Sequence, residues 1–311
     1  MSNPTSEPLK FVYILSQRYS GSTLLSFLMA THPAVSTIGE RRKFYNKSLK
    51  NEAFRHHKAR HCSCGELYEN CTHFNQIKDR VLDRVDPEIL DTNTTEFNVY
   101  NHKFLNRVAY EWIKFCCLHS IPLQLTPFNK KIKTLCDFNK ILATEILALD
   151  QKSTFLDTSK SIDQALYLSL TEGIDFRVVW LVRDPRAQIN SALKYNQWTV
   201  EYAARHWIKE MHENEKILNR LGIKHIRLRY EDLCKSPEEE LASVFQFVGL
   251  DHGAFSLDFR DRTQHIIGNA KMRLGKDATI RERKEWKEEL SKDQIKTIER
   301  LTSEFESFYS N

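Results

Sequence analysis

Nowhere does the 311-residue chain carry the roughly 20 consecutive apolar residues that a membrane-spanning helix needs. Met1 to Pro8 likewise has no basic region followed by an apolar run, so a cytoplasmic protein with no membrane partner is expected. Without a secretory signal, the glycosylation-type triplets at Asn46, Asn70 and Asn93 are read as chance. Basic residues are spread along the chain without a long run, and the net charge is only +5, so no nucleic-acid partner is demanded. Internal repeats and low-complexity linkers are missing, which favours one elaborated domain over residues 1–311. No heptad run fixes an oligomeric state.

One further absence is chemical. Residues 11–28 read as a buried strand, a polar loop with one glycine, and an apolar helix. That order builds an anion cradle. Gly21 lets backbone approach a phosphate, Ser22 and Thr23 add hydroxyls at the helix start, and Arg18 adds positive charge. The lysine and second glycine of a Walker A loop are both missing, so a phosphorylated ligand other than ATP is expected. A second strand run, Phe176 to Val182, leads straight into Arg183, Asp184 and Pro185, with Ser191 a little over two helical turns on. Asp184 suits a cap and Pro185 the first helical turn, which leaves Arg183 at the strand end. Two strand-to-helix phosphate sites imply a ligand with two separate phosphate groups.

Together these segments resemble the sulfotransferase family, whose donor is 3'-phosphoadenosine 5'-phosphosulfate (PAPS). Leu156 to Lys160, Arg229 to Leu233, and His265 to Asn269 followed by Arg273 also resemble family segments, so the likeness runs from about residue 11 to the C-terminus. It implies that Arg18, Tyr19, Ser20, Gly21, Ser22, Thr23 and Leu24 bind the 5'-phosphosulfate, and that Arg183 and Ser191 bind the 3'-phosphate. A loop containing His265, Gly268, Asn269 and Arg273 would close over the nucleotide, with Arg273 on the 3'-phosphate. His32-Pro33 and Gly39-Glu40 are closer in style to the bacterial, carbohydrate and tyrosylprotein branches, where a glutamate at that offset is the base. The expected donor is PAPS, the product is PAP, and no metal is expected. The acceptor is expected to be a small molecule or a glycan.

The fold expected is α/β, a P-loop-like parallel sheet flanked by helices on both faces. Strands are predicted at 11–15, 153–156, 176–182 and 224–229, and helices at 22–31, 161–171, 185–195, 199–221, 237–248 and 291–308. Residues 41–150 interrupt this alternation as a helical, irregular insertion contributing to the acceptor pocket. Phe104, Val108, Trp112 and Phe115 form one helical stripe there, and Leu135, Leu142, Ile146 and Leu149 another. Cys62, Cys64 and Cys71, with His61 and His73 nearby, are a weak candidate for zinc, because Cys-x-Cys is a poor clamp and a second ligand pair is not evident. A similar loop in bacterial sulfotransferases implies a local structural or pocket role.

Sulfuryl transfer places growing negative charge on the leaving phosphate and the sulfuryl oxygens. Arg18, Lys160 and the Gly21 to Thr23 amides are the candidates to meet it, and Glu40 is the candidate base. The competing role for Glu40 is an ion pair with Arg41, Arg42 or Arg18, and the competing bases are His32 and His102. A P-loop kinase or NTPase, or a noncatalytic PAP-binding protein, is the alternative function.

Overall fold

The alternating apolar residues of the first strand decide the architecture. In the computed structural model, which describes residues 7–44, 61–87, 89, 94–100, 102–261, 263–267, 272, 274–275 and 277–309, β1 (Leu9–Ser16) lies at the centre of the sheet. Around it are β2 (Val35–Thr37), β3 (Thr154–Lys160), β4 (Ile174–Val182) and β5 (His225–Arg229), in the order β2-β3-β1-β4-β5. Every pairing is parallel. Phe11, Tyr13 and Leu15 enter one core layer with Val178, Trp180 and Val182, while Val12 and Ile14 enter the other with Val179 and Leu181. A one-residue register slip would exchange the two sets, and each large side chain is worth about 1.5–3 kcal/mol when fully buried.

Helices cover both faces, as the sequence predicts. α1 (Ser22–Met29) follows β1. α2 (Thr72–Leu82), α3 (Lys103–Leu118) and α4 (Asn129–Asp150) lie between β2 and β3. α5 (Ile162–Ser169) links β3 to β4, α6 (Pro185–Asn196) and α7 (Val200–Arg220) link β4 to β5, and α8 (Tyr230–Lys235) and α9 (Pro237–Val248) follow β5. Leu25, Leu28, Leu241 and Phe245 pack on one face of the sheet. Ile77, Ile113, Leu142 and Ile146 from the insertion share a core with the other face. The predicted helix at 291–308 is broken, with Lys292–Thr302 helical and a 3-10 turn at Ser303–Phe305. Among the described residues no helix is long and apolar enough to cross a membrane.

Two readings of the insertion change. The stripe Phe104, Val108, Trp112 and Phe115 faces outward, with Phe104 67% and Trp112 50% exposed, and α3 instead buries Ala109, Tyr110, Ile113 and Cys116. Hydrophobic spacing identified the helix but not which of two apolar faces is covered. Arg41, considered as a partner for Glu40, is fully buried and ion-paired to Asp157 through Nε at 2.8 Å. Its guanidinium also donates to the Thr95 carbonyl at 2.9 Å, to Gln164 Oε1 at 2.8 Å and to Asn139 Oδ1. It thereby ties the start of the insertion to β3, α4 and α5.

Candidate active site

The loop after β1 has the features of an anion cradle. Gly21 caps α1 with φ +91°, and the amides of Gly21, Ser22 and Thr23 find no acceptor among the described residues. They stand at the positive end of a helix, where unpaired amides and the helix dipole both favour an anion. A Cβ on residue 21 would lie 2.4 Å from Tyr230 Cδ2, so glycine is required by contact as well as by conformation. Ser20 is buried and its Oγ donates to the Gln17 carbonyl at 2.8 Å, bracing the loop from within. Tyr19 has φ 63° and its hydroxyl donates to Asn196 Oδ1 at 3.1 Å. Leu24 is buried and its amide closes the first turn on the Gly21 carbonyl at 2.9 Å. Arg18 is exposed and has no ion-pair partner among the described residues.

Arg183 leaves the end of β4 and reaches the same loop. Its Nη1 donates to the Tyr19 carbonyl at 2.8 Å and its Nη2 to the Arg283 carbonyl at 3.1 Å, while Nε is buried without a partner. The guanidinium lies 4.4 Å from the Tyr230 ring centroid. Tyr230 therefore lies against both Gly21 and Arg183. Glu231, on α8 just after β5, links to the end of β4, its Oε1 accepting the Asp184 amide at 3.1 Å. Asp184 caps α6 at its own side chain, accepting from the Arg186 amide at 2.8 Å. Ser191 is half-buried on α6 and donates to the Ala187 carbonyl at 3.1 Å, so its hydroxyl has to rotate away from that carbonyl to donate to an anionic ligand.

Glu40 and Lys160 meet as an ion pair. β3 runs beside β1 with Leu15 opposite Lys160, so the lysine stands where the anion loop begins. Lys160 holds φ 74°, a left-handed conformation costing a lysine about 1–3 kcal/mol and typical of functional sites. Its Nζ donates to Glu40 Oε1 at 3.2 Å, while Lys43 Nζ and Arg42 Nη2 lie 3.0 and 3.5 Å from Oε2. The Glu40 side chain is buried, and its amide donates to the Ile267 carbonyl at 3.0 Å. Burial alone would raise the Glu40 carboxyl, but Lys160, then Lys43 and Arg42, outweigh it and hold the group at about 2. Of the partners weighed from sequence, Arg42 is present, and Arg41 is engaged with Asp157.

This carboxylate makes stability pH-dependent in a defined window. Its folded value lies below its ordinary one of 4.5, so its stabilising contribution is present above pH 4.5 and is lost as pH falls toward 2. The contribution should be on the order of 3 kcal/mol at neutral pH. Urea unfolding from pH 6 to pH 2.5 should show Glu40→Gln losing less stability than the parent across this interval, and parallel curves would contradict the assignment.

The rival bases are poorly placed. His32 Nδ1 accepts the Ala34 amide at 3.1 Å, which leaves Nε2 to donate to the Asp251 carbonyl at 2.9 Å, so both nitrogens are occupied. His102 is exposed at the N-cap of α3. Gly268, Asn269 and Arg273 lie outside the described residues, as do Asn46 and Asn93. His265, expected over the nucleotide, turns instead toward Cys62, Cys64 and Cys71.

The donor set suits an anionic ligand at the ends of three neighbouring strands. Unpaired amides, a lysine and a buried guanidinium edge face the region beyond the carboxyl ends of β1, β3 and β4, where ligands of open parallel sheets bind. Two solved structures are similar over nearly the whole chain. The sulfotransferase domain of the Synechococcus PCC 7002 olefin synthase has 16% identity and TM-score 0.46, covering 97% of this chain and 98% of that one. The sulfotransferase domain of the curacin biosynthetic pathway has 17% identity and TM-score 0.46, with coverages of 96% and 99%. None of the curated proteins matches the sequence. A family model described as "Sulfotransferase family" matches residues 12–253, a span holding the anion loop, Glu40, Lys160, Arg183 and Ser191, and the chain therefore belongs to the sulfotransferase family.

Proposed function

We propose that this protein moves the sulfuryl group of PAPS to a hydroxyl or amine of a small-molecule or glycan acceptor, releasing PAP. The observation that carries this reading is the convergence of the unpaired Gly21 to Thr23 amides with Lys160 and Arg183 at adjoining strand ends. The amides and Lys160 hold the 5'-phosphosulfate, with Arg18 at the exposed rim. Arg183 Nε and the Ser191 hydroxyl receive the 3'-phosphate.

In the transfer, the bond from sulfur to the 5'-phosphate oxygen breaks as the acceptor atom bonds to sulfur. The electron pair leaves on the phosphate, and the acceptor proton passes to Glu40. Lys160 links the two events. Paired with Glu40 before the donor arrives, it turns toward the sulfuryl oxygens and thereby raises the proton affinity of the carboxylate it leaves. The insertion beside Glu40 supplies acceptor contacts. A cytoplasmic setting is in keeping with seven cysteines that are all free.

Calorimetric titration with PAP, ATP, ADP and AMP tests the donor site. PAP should bind best without added metal, and Ser191→Ala should weaken it by about 10- to 150-fold, since a hydrogen bond to a charged group is worth about 1.5–3 kcal/mol. Arg183→Ala should weaken PAP further, in part because the guanidinium also braces the Tyr19 carbonyl. A preference for magnesium-bound ATP, or indifference of PAP affinity to both substitutions, would overturn the reading.

A further inference from the structure

Three cysteines from one end of the insertion meet a histidine that arrives some 200 residues later. Cys62 and Cys64 lie on a tight turn in which the Gly65 amide donates to the Cys62 carbonyl at 3.0 Å and the Cys62 amide to the Glu66 carbonyl at 2.8 Å. Gly65 closes that turn with φ +96°. Cys71 caps α2 and is buried, as is Cys62. His265 is fixed from both sides, because Ser63 Oγ accepts the Ile266 amide at 2.8 Å and donates to the Gln264 carbonyl. The His73 ring stacks on His265 with centroids 4.4 Å apart and planes at 14°.

The four donor atoms lie within 4.8 Å of one another. Cys64 and Cys71 Sγ are 3.8 Å apart, and His265 Nδ1 is 3.5 Å from Cys62 Sγ and 3.3 Å from Cys71 Sγ. A tetrahedral zinc ion with bonds of about 2.3 Å to sulfur and about 2.0–2.1 Å to nitrogen sets sulfur–sulfur edges of about 3.8 Å and sulfur–nitrogen edges of about 3.5 Å. These three edges match that polyhedron to within a few tenths of an ångström, and the other three are no longer than 4.8 Å. They are far from the sulfur–sulfur bond of about 2.0 Å in a disulfide.

We propose that Cys62, Cys64, Cys71 and His265 bind a structural zinc ion. Three thiolates and one neutral imidazole complete the coordination, so no open position remains for catalysis, and binding releases the thiol protons. The ligand pair lacking in the local sequence is supplied by Cys71 and by the distant His265. The ion would clamp the cysteine loop to the segment whose Ile267 bridges Gly39 and whose carbonyl accepts the Glu40 amide, making zinc the outer anchor of the catalytic strand end.

The full-length protein, purified without chelator, should contain one zinc per chain by elemental mass spectrometry. Replacement by cobalt should give thiolate-to-cobalt charge-transfer absorption together with the visible bands of a tetrahedral site. Cys71→Ser and His265→Ala should hold substoichiometric metal. Cys62, Cys64 and Cys71 should resist alkylation until the zinc is stripped, and stripping should speed hydrogen exchange at the Glu40 and Ile267 amides. A natively folded, metal-free protein, a Cys64–Cys71 disulfide, or cobalt bound without thiolate bands would overturn the proposal. If the variants do not fold, the parent's cobalt spectrum and alkylation pattern decide it.

Discussion

Glu40→Gln is expected to lower turnover by about 10²–10⁴-fold, the usual contribution of a positioned general base, while PAP affinity is retained. Glutamine keeps the shape and one acceptor oxygen, so Lys160, Lys43 and Arg42 retain a polar neighbour, but it cannot accept the acceptor's proton. The pH profile separates this role from a merely electrostatic one. In the free enzyme the carboxylate is held at about 2, which places the acid limb of kcat/KM far below neutrality. In the ternary complex Lys160 is drawn to the donor, so the acid limb of kcat should lie at higher pH in the parent and vanish in the variant. Steady-state kinetics across pH together with PAP titration decide the matter. Near-normal turnover with intact PAP affinity would eliminate the glutamate base.

Arg41→Met should be the most damaging substitution outside the donor site, costing about 3–5 kcal/mol because it leaves the buried charge of Asp157 without its partner. Asp157 would keep only the Ser159 amide and hydroxyl and the residue 41 amide, and the Thr95, Asn139 and Gln164 acceptors would lose their donor. Urea denaturation measures the loss. Adding Asp157→Asn to the same chain should restore part of it, because the uncompensated charge is then gone. Equal stability of Arg41→Met and parent would show that the buried pair contributes nothing, and failure of the double variant to recover would assign the loss to packing.

What was legible from sequence was whatever depends on near neighbours along the chain. The strand, the loop around Gly21 and the helix after it are contiguous, as are Val182, Arg183, Asp184 and Pro185, so local chemistry identified them. β2 escaped because three residues, Val35–Thr37, carry too little pattern to register. Long-range pairings were invisible for a different reason. Nothing near Tyr230 announces that its ring will lie against both Gly21 and Arg183, and nothing near Cys62 points to His265. On α3 the apolar spacing pointed to Phe104, Val108, Trp112 and Phe115, whereas packing covers Ala109, Tyr110, Ile113 and Cys116. Glu40 was identified as a candidate through the resemblance of Gly39-Glu40 to family segments, yet the set of cations around it needed Lys160 from another strand.

The central position of β1 has a consequence for biosynthesis. Lys10 pairs with Thr154 on one side and with Asp175 on the other, so β1 waits for partner strands that are translated much later. At translation rates of about 5–20 residues per second that wait lasts roughly 10–30 s, during which Phe11 to Leu15 is an unpaired apolar edge. Such non-local closure slows folding and exposes the nascent chain to aggregation. The anion loop is therefore translated well before the strands on either side of β1 that hold it in shape.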